Sequence, residues 1–248
     1  MIFTLAAKEL KTLFASPLAW AVLALLQLIL AWIFLVRLDE FLNVQPQYAQ
    51  LLNPPGVTEL IVSPLCAITA VLLLVVVPLL SMRLVAEERR NRTFTLLFSA
   101  PLSMGEIVLG KFLGLFAFLL LVVALAGAMA VALAAGGPLD WGLIAANLAG
   151  LVGIAASFAA IGLYISCLTN HPALAAFLAL AALLGSWLSN LAASDAAVNW
   201  VYWLSLMKHF ESFNKGLIDS ADLAYFVLCT VLFLALAARR LDGYRVSG

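Results

Sequence analysis

Charge is the scarcest property of this 248-residue chain, which has 13 Lys or Arg and 13 Asp or Glu, only 10% of its residues. Soluble domains carry about 25% charged residues. A population this thin cannot coat a water-facing surface, so a soluble globule is excluded. Cysteine is scarce too. Cys66, Cys167 and Cys229 lie in apolar runs without C-x-x-C spacing, which excludes a disulfide framework and a thiolate metal site. The two histidines, His171 and His209, are predicted on opposite sides of a membrane, so they cannot share a metal. No serine has a histidine and a carboxylate credibly placed beside it in sequence for nucleophilic catalysis, and no segment points to nucleic acid. The start, MIFTLAAKELKTLFASP, lacks a small-residue cleavage site after a short apolar core, and so does not read as a cleaved signal peptide.

What is present is hydrocarbon. The chain is 65% hydrophobic with a mean hydropathy of +1.12. Six apolar segments have the length a bilayer requires, at about 17–36, 60–82, 106–135, 142–168, 173–192 and 222–238. Each must be a helix, because lipid offers the backbone no hydrogen-bond partners. The third and fourth are long enough to tilt or to project beyond the lipid. The expectation is one all-α membrane domain over 1–248.

Lys and Arg set the orientation. With six spans, ten fall on one side (Lys8, Lys11, Arg83, Arg89, Arg90, Arg92, Lys111, Arg239, Arg240 and Arg245) and three on the other (Arg37, Lys208 and Lys215). Both termini and the 83–111 segment are therefore expected in the cytoplasm. Residues 1–16 place Ile2, Phe3, Ala6, Leu10, Leu13 and Phe14 on one helical stripe, with Lys8, Lys11 and Thr12 off it. This pattern predicts an amphipathic helix in the cytoplasmic interface, ended at Ser16-Pro17. Residues 193–221 carry Trp200, Tyr202, Trp203, Phe210 and Phe213, which suits one or two short helices at the outer surface.

The middles of the spans contain no Asp, Glu, Lys, Arg or His. Carriers driven by ions or protons place ionisable groups there, so a chain that moves something without them must draw energy from elsewhere. Gln27, Asn147, Ser157 and Ser166 suit helix–helix hydrogen bonds, and Gly110-x-x-x-Gly114, Gly150, Gly153 and Gly162 suit close packing.

The polar segment VAEERRNRTFTLLFSAPLSMGEIVLGK, residues 85–111, stands apart from its surroundings. The second span contains Pro78, yet helix formers continue through Arg90, where Glu87 and Glu88 can pair with Arg90 and Arg92. Thr93 can cap a short helix bearing Phe94, Leu97 and Phe98 on one face, and Pro101 ends it. Apolar side chains rimmed by charge suit a partner surface. Ser103-Met104-Gly105-Glu106 is a capping-box pattern that opens the third span. Gly105 to Lys111 spells G-x-x-x-x-G-K, but no strand precedes it and Phe112 stands where magnesium needs Ser or Thr. It is not a nucleotide site, and Lys111 reads as an anchor that snorkels to the lipid interface.

Residues Glu87, Glu88, Arg89, Arg90, Thr93, Leu96, Leu97, Pro101, Glu106, Gly110 and Lys111 resemble the signature loop of type-2 ABC transporter permeases. The stretch HFESFNKGLIDSADLAYF from His209 is similar to the segment before the last span in the gliding-motility-associated branch. Two positions depart from the pattern: Arg92 replaces a glycine and Thr95 an acidic residue. The resemblance implies a non-catalytic permease subunit in the bacterial-type inner membrane, exporting a substrate with energy from separate ATP-binding subunits. It implies two copies of that subunit, which hold the ATP and magnesium, and a second permease copy or paralogue. Accessory envelope proteins would be further partners. The coupling loop would comprise Glu87, Glu88, Arg89, Arg90, Thr93, Phe94, Leu97, Phe98 and Pro101. The interfacial helix, with Phe3, Lys8, Leu10 and Lys11, and the external His209, Phe210 and Phe213 complete the implied sites. Two other readings stay open at this point, a membrane anchor for an ATPase in envelope or motility machinery and a secondary carrier.

Overall fold

In a computed structural model the structure describes residues 2–48, 56–91, 103–191 and 203–247, and every regular element among them is helical. The elements are α1 (Ile2–Ala15), α2 (Pro17–Tyr48), α3 (Ser63–Ser81), α4 (Glu88–Arg90), α5 (Met104–Ala132), α6 (Trp141–Leu168), α7 (Pro172–Leu191), α8 (Leu206–Asn214) and α9 (Ser220–Ser247). Among the described residues six helical rods are long and apolar enough to cross a membrane, as the hydropathy pattern predicts. With an even number of crossings, both chain ends lie at one end of the bundle, here termed the terminal end; the opposite one is the far end.

Local chemistry sets the breaks. Ser16 separates α1 from α2: its carbonyl accepts from Ala19 N at 3.2 Å and its hydroxyl from Leu18 N at 3.3 Å. Pro17 opens α2, where its missing N–H loses nothing. The first span was expected to stop at 36, but α2 runs on to Tyr48. An Arg37–Glu40 pair at 2.9 Å and an Asn43–Asp39 hydrogen bond at 3.2 Å support the polar extension. At the start of α5 the capping box is complete. Glu106 N donates to Ser103 Oγ at 3.2 Å, and Ser103 N donates back to the Glu106 carboxylate at 3.0 Å.

The second crossing is one rod from Thr58 to Arg90. It continues past Pro78, as the run of helix formers predicts, but not as a uniform α-helix. Its backbone widens to π-helical turns at Thr58–Val62 and again at Arg83–Glu87, on either side of α3.

Helix α6 is the centre of the bundle. In its crossing 72% of the most apolar stretch is buried, against 22% in the first and 17% in both the fifth and sixth crossings. Small residues permit this. A Cβ on Gly162 would stand 2.6 Å from Ser81 Oγ of α3, and one on Gly153 would stand 2.6 Å from the Phe226 ring of α9. Ser157 reinforces the α6–α9 seam by donating to the Phe226 carbonyl at 3.3 Å.

The 193–221 region holds one short helix, α8, among its described residues. Residues Trp200 and Tyr202 lie outside the described residues. Helix α8 is packed against the bundle on its apolar face: Phe210 and Phe213 are each 1% exposed. They are seated on Gly150, where a Cβ would meet Phe213 Cβ at 2.6 Å. Gly150 lies nine residues into α6, about 13 Å along its axis, so α8 dips alongside the spans. A one-sided apolar face fills a glycine socket better than it covers a flat surface.

Candidate functional site

The expected stripe on α1 is only partly the packed one. Helix α1 packs chiefly on α5, with Leu5, Ala6 and Glu9 towards it, while Phe3 stands 82% exposed. The G-x-x-x-G pair is its seat: a Cβ on Gly110 would meet Leu5 at 2.6 Å, and one on Gly114 would meet Glu9 Cβ at 2.6 Å and the Ala6 carbonyl at 3.1 Å. The ring of Phe14 packs 5.5 Å from Trp20 and 5.4 Å from Phe118. Lys8 and Lys11 are exposed, and Leu10 is half-buried.

That seat leads to the main correction. Lys111 does not snorkel; its side chain is 0% exposed. Its ammonium lies 3.1 Å from the Glu9 carboxylate and 2.8 Å from that of Glu88, joining α1, α4 and α5 at one point. Lys8 closes the rim at 3.4 Å from Glu9 and 3.9 Å from Glu88. An ammonium this deep is held by its two anions, since leaving it unpaired costs several kcal/mol. The G-x-x-x-x-G-K string thus has a packing cause: Gly110 admits α1 and Lys111 binds it.

The other residues of the motif are also redistributed. Glu87 pairs with Arg83 at 3.7 Å within the same rod, not with Arg90, which is exposed. Arg83 Nη1 donates to Ser16 Oγ at 2.8 Å, tying the rod to the α1–α2 junction. Arg89 Nη1 donates to the Cys167 carbonyl at 3.1 Å and lies 3.5 Å from Asn170 Oδ1, so it caps the C-terminal end of α6. A cleft of about 360 Å³ opens beside this node, with Glu9, Thr12, Ser16, Arg83, Glu87 and Asn91 on its walls. Thr93, Phe94, Leu97, Phe98 and Pro101, and the pairing expected of Arg92, lie outside the described residues.

The far end holds a buried His–Asp contact, which sequence reading did not find. His209 Nδ1 lies 2.6 Å from Asp222 Oδ1, and Nε2 lies 3.0 Å from the Trp203 carbonyl. The Tyr225 ring stacks 3.9 Å from the imidazole, and Lys208 Nζ sits 2.9 Å above the centre of the Trp203 ring. Desolvation lowers the Lys208 pKa from its usual value, opposed by the negative Asp222. The carbonyl of Trp203 occupies the nitrogen that a serine nucleophile would use, so the dyad fastens α8 to the mouth of α9. His209 thus faces Asp222, Trp203 and Tyr225, while Phe210 and Phe213 face Gly150. Among the described residues no group of three His, Cys, Asp or Glu could hold a metal. The three cysteines are free; Cys66 and Cys167 are buried and Cys229 is half-buried.

Comparison with known proteins agrees in class with this architecture. Residues 3–243 match the model of a family described as ABC-2 family transporter protein. A search of curated proteins found no match to the chain.

Proposed function

The chain belongs to the ABC-2 transporter family, whose members are membrane subunits working with an ATP-binding ABC subunit, and we propose that it is the permease of an ATP-driven exporter. The terminal end is its cytoplasmic side, in an inner membrane of bacterial type; the ten-to-three division of Lys and Arg supports this. Two copies of the permease, or one with a paralogue, form the membrane unit. Two ATP-binding subunits hold the ATP and magnesium. They meet the 87–101 segment through Phe94, Leu97 and Phe98.

The Lys111–Glu9–Glu88 node carries the reading. Work reaches the spans only through a contact that differs between two states. Glu88 stands at the root of the segment that would meet the partner, and its carboxylate is shared with the base of the third span and with α1. Closure of the ATP-binding subunits draws α4 and changes that contact. Because α1 is seated on α5 by Glu9 and the glycine pair, the disturbance is delivered to the third span rather than lost at the surface.

Co-expression with the ATP-binding subunit should give a stoichiometric complex whose ATPase rate responds to the permease. A chain that purifies alone as a stable oligomer refutes the reading. Replacing Phe94, Leu97 and Phe98 by Ser should release the partner while the spans stay folded; retained binding would assign those residues to lipid.

A further inference from the structure

Ser166 is buried in α6, with 0% exposure and no place in the charge node. Its hydroxyl oxygen accepts from two successive backbone amides of the neighbouring rod, Val85 N at 3.3 Å and Ala86 N at 3.1 Å, and it lies 3.5 Å from the Met82 carbonyl. Both amides belong to the π-helical turn Arg83–Glu87. A π turn is an α-helix with about one residue too many in it, and such turns concentrate at functional sites. Backbone amides buried in lipid-facing protein must find acceptors. A hydroxyl from another helix that takes two of them favours the widened register over the regular one.

The surroundings divide sharply on either side of this turn. Before it, Ser81 is locked against Gly162, where not even a methyl group fits. After it come Glu87, Glu88 and Arg89, the residues that make the node and cap α6. The turn is therefore the joint between a fixed span and a charged lever.

We propose that Ser166 is a positioning residue for energy coupling: it holds Arg83–Glu87 in the π register, and the coupled movement is the rewinding of this turn to α-helix. This rests on the permease reading above. Passing one residue of helix turns everything beyond by about 100° and shifts it by about 1.5 Å. Glu88 then leaves Lys111 and presents another face, while α3 below does not move. Return of the two amides to Ser166 restores the resting contact.

Hydrogen–deuterium exchange on the full chain in lipid nanodiscs tests the joint without any partner. In Ser166→Ala the amides of 83–88 should exchange about tenfold faster, the loss of roughly one net hydrogen bond, with α3 and α6 unchanged. Ser166→Thr should restore protection. Unchanged exchange in Ser166→Ala refutes the proposal, whatever the function of the chain. In the complex with the ATP-binding subunit, ATP should speed exchange in the same six residues. Deletion of Ala86 removes the surplus residue and leaves a regular helix with Glu88 on its resting face. This variant should keep the partner and the node but lose the ATP-dependent exchange and the coupled ATPase response. A deletion variant that responds like the natural chain refutes the proposal, whereas failure of the natural chain to bind or stimulate an ATP-binding subunit refutes the permease reading.

Discussion

Replacing Lys111 by Met separates holding from transmitting. The ammonium is 0% exposed and lies 3.1 Å from Glu9 and 2.8 Å from Glu88, whose side chains are 6% and 20% exposed. At an effective dielectric of about 20, each contact has a raw Coulomb attraction of ~5–6 kcal/mol. Desolvation cancels most of this, and removing one partner of a buried pair costs ~3–5 kcal/mol because the buried charge that stays behind loses part of its compensation. Lys8 remains 3.4 Å from Glu9 and relieves part of the loss, which places Lys111→Met near the lower figure. For a chain of this size that corresponds to a fall in melting temperature of roughly 6–12 °C. The triple variant Lys111→Met, Glu9→Gln, Glu88→Gln removes both anions together with the cation. It should recover most of the stability, since neutral replacements of buried ion groups are often tolerated, but it should not recover the ATPase response. Thermal unfolding in nanodiscs reads the first effect and ATPase stimulation in the complex reads the second. A Lys111→Met chain as stable as the natural one refutes the structural role of the node, and a fully coupled triple variant refutes its role in transmission.

Three other outcomes follow from the geometry. Gly114→Leu must push Glu9 and Ala6 away from α5, so limited proteolysis should cleave residues 2–15 far faster than in the natural chain while the six crossings stay intact. Asp222→Asn weakens the 2.6 Å contact with His209 and should lower stability by ~1.5–3 kcal/mol, the range for hydrogen bonds to charged groups; His209→Leu adds an unpaired buried carboxylate and should cost more. Gly150→Leu displaces Phe210 and Phe213 from their socket, so their replacement by Ala in the same chain should partly rescue its melting temperature.

The crossings were legible because lipid leaves a backbone one choice, and twenty apolar residues in a row have one use. The capping box at Ser103 and Glu106 was legible because both partners lie within one helical turn. Lys111 was misread for the opposite reason. A lysine at the edge of an apolar run looks the same whether it reaches outward or pairs inward, and its partner Glu9 is 102 residues away. The G-x-x-x-G signal announced a close approach without saying that α1 makes it. His209 and Asp222 meet where α8 packs on α6 at Gly150, a glycine legible as a close-packing site but not as the seat of Phe213. A π turn has no sequence signature at all: Arg83–Glu87 reads as good α-helix, and its widened register shows only where Ser166 takes its amides.

The central claim, that ATP energy enters through relative movement of the α4 lever and α1, can be measured without knowing the substrate. Spin labels at Lys11→Cys and Asn91→Cys, both exposed positions, would be placed in a chain whose three native cysteines are replaced by Ser and bound to the ATP-binding subunit. Pulsed dipolar spectroscopy should show one distance population without nucleotide and a second that appears with ATP and disappears after hydrolysis. A single unchanged distance in every state, while the complex hydrolyses ATP at the permease-stimulated rate, would contradict the account.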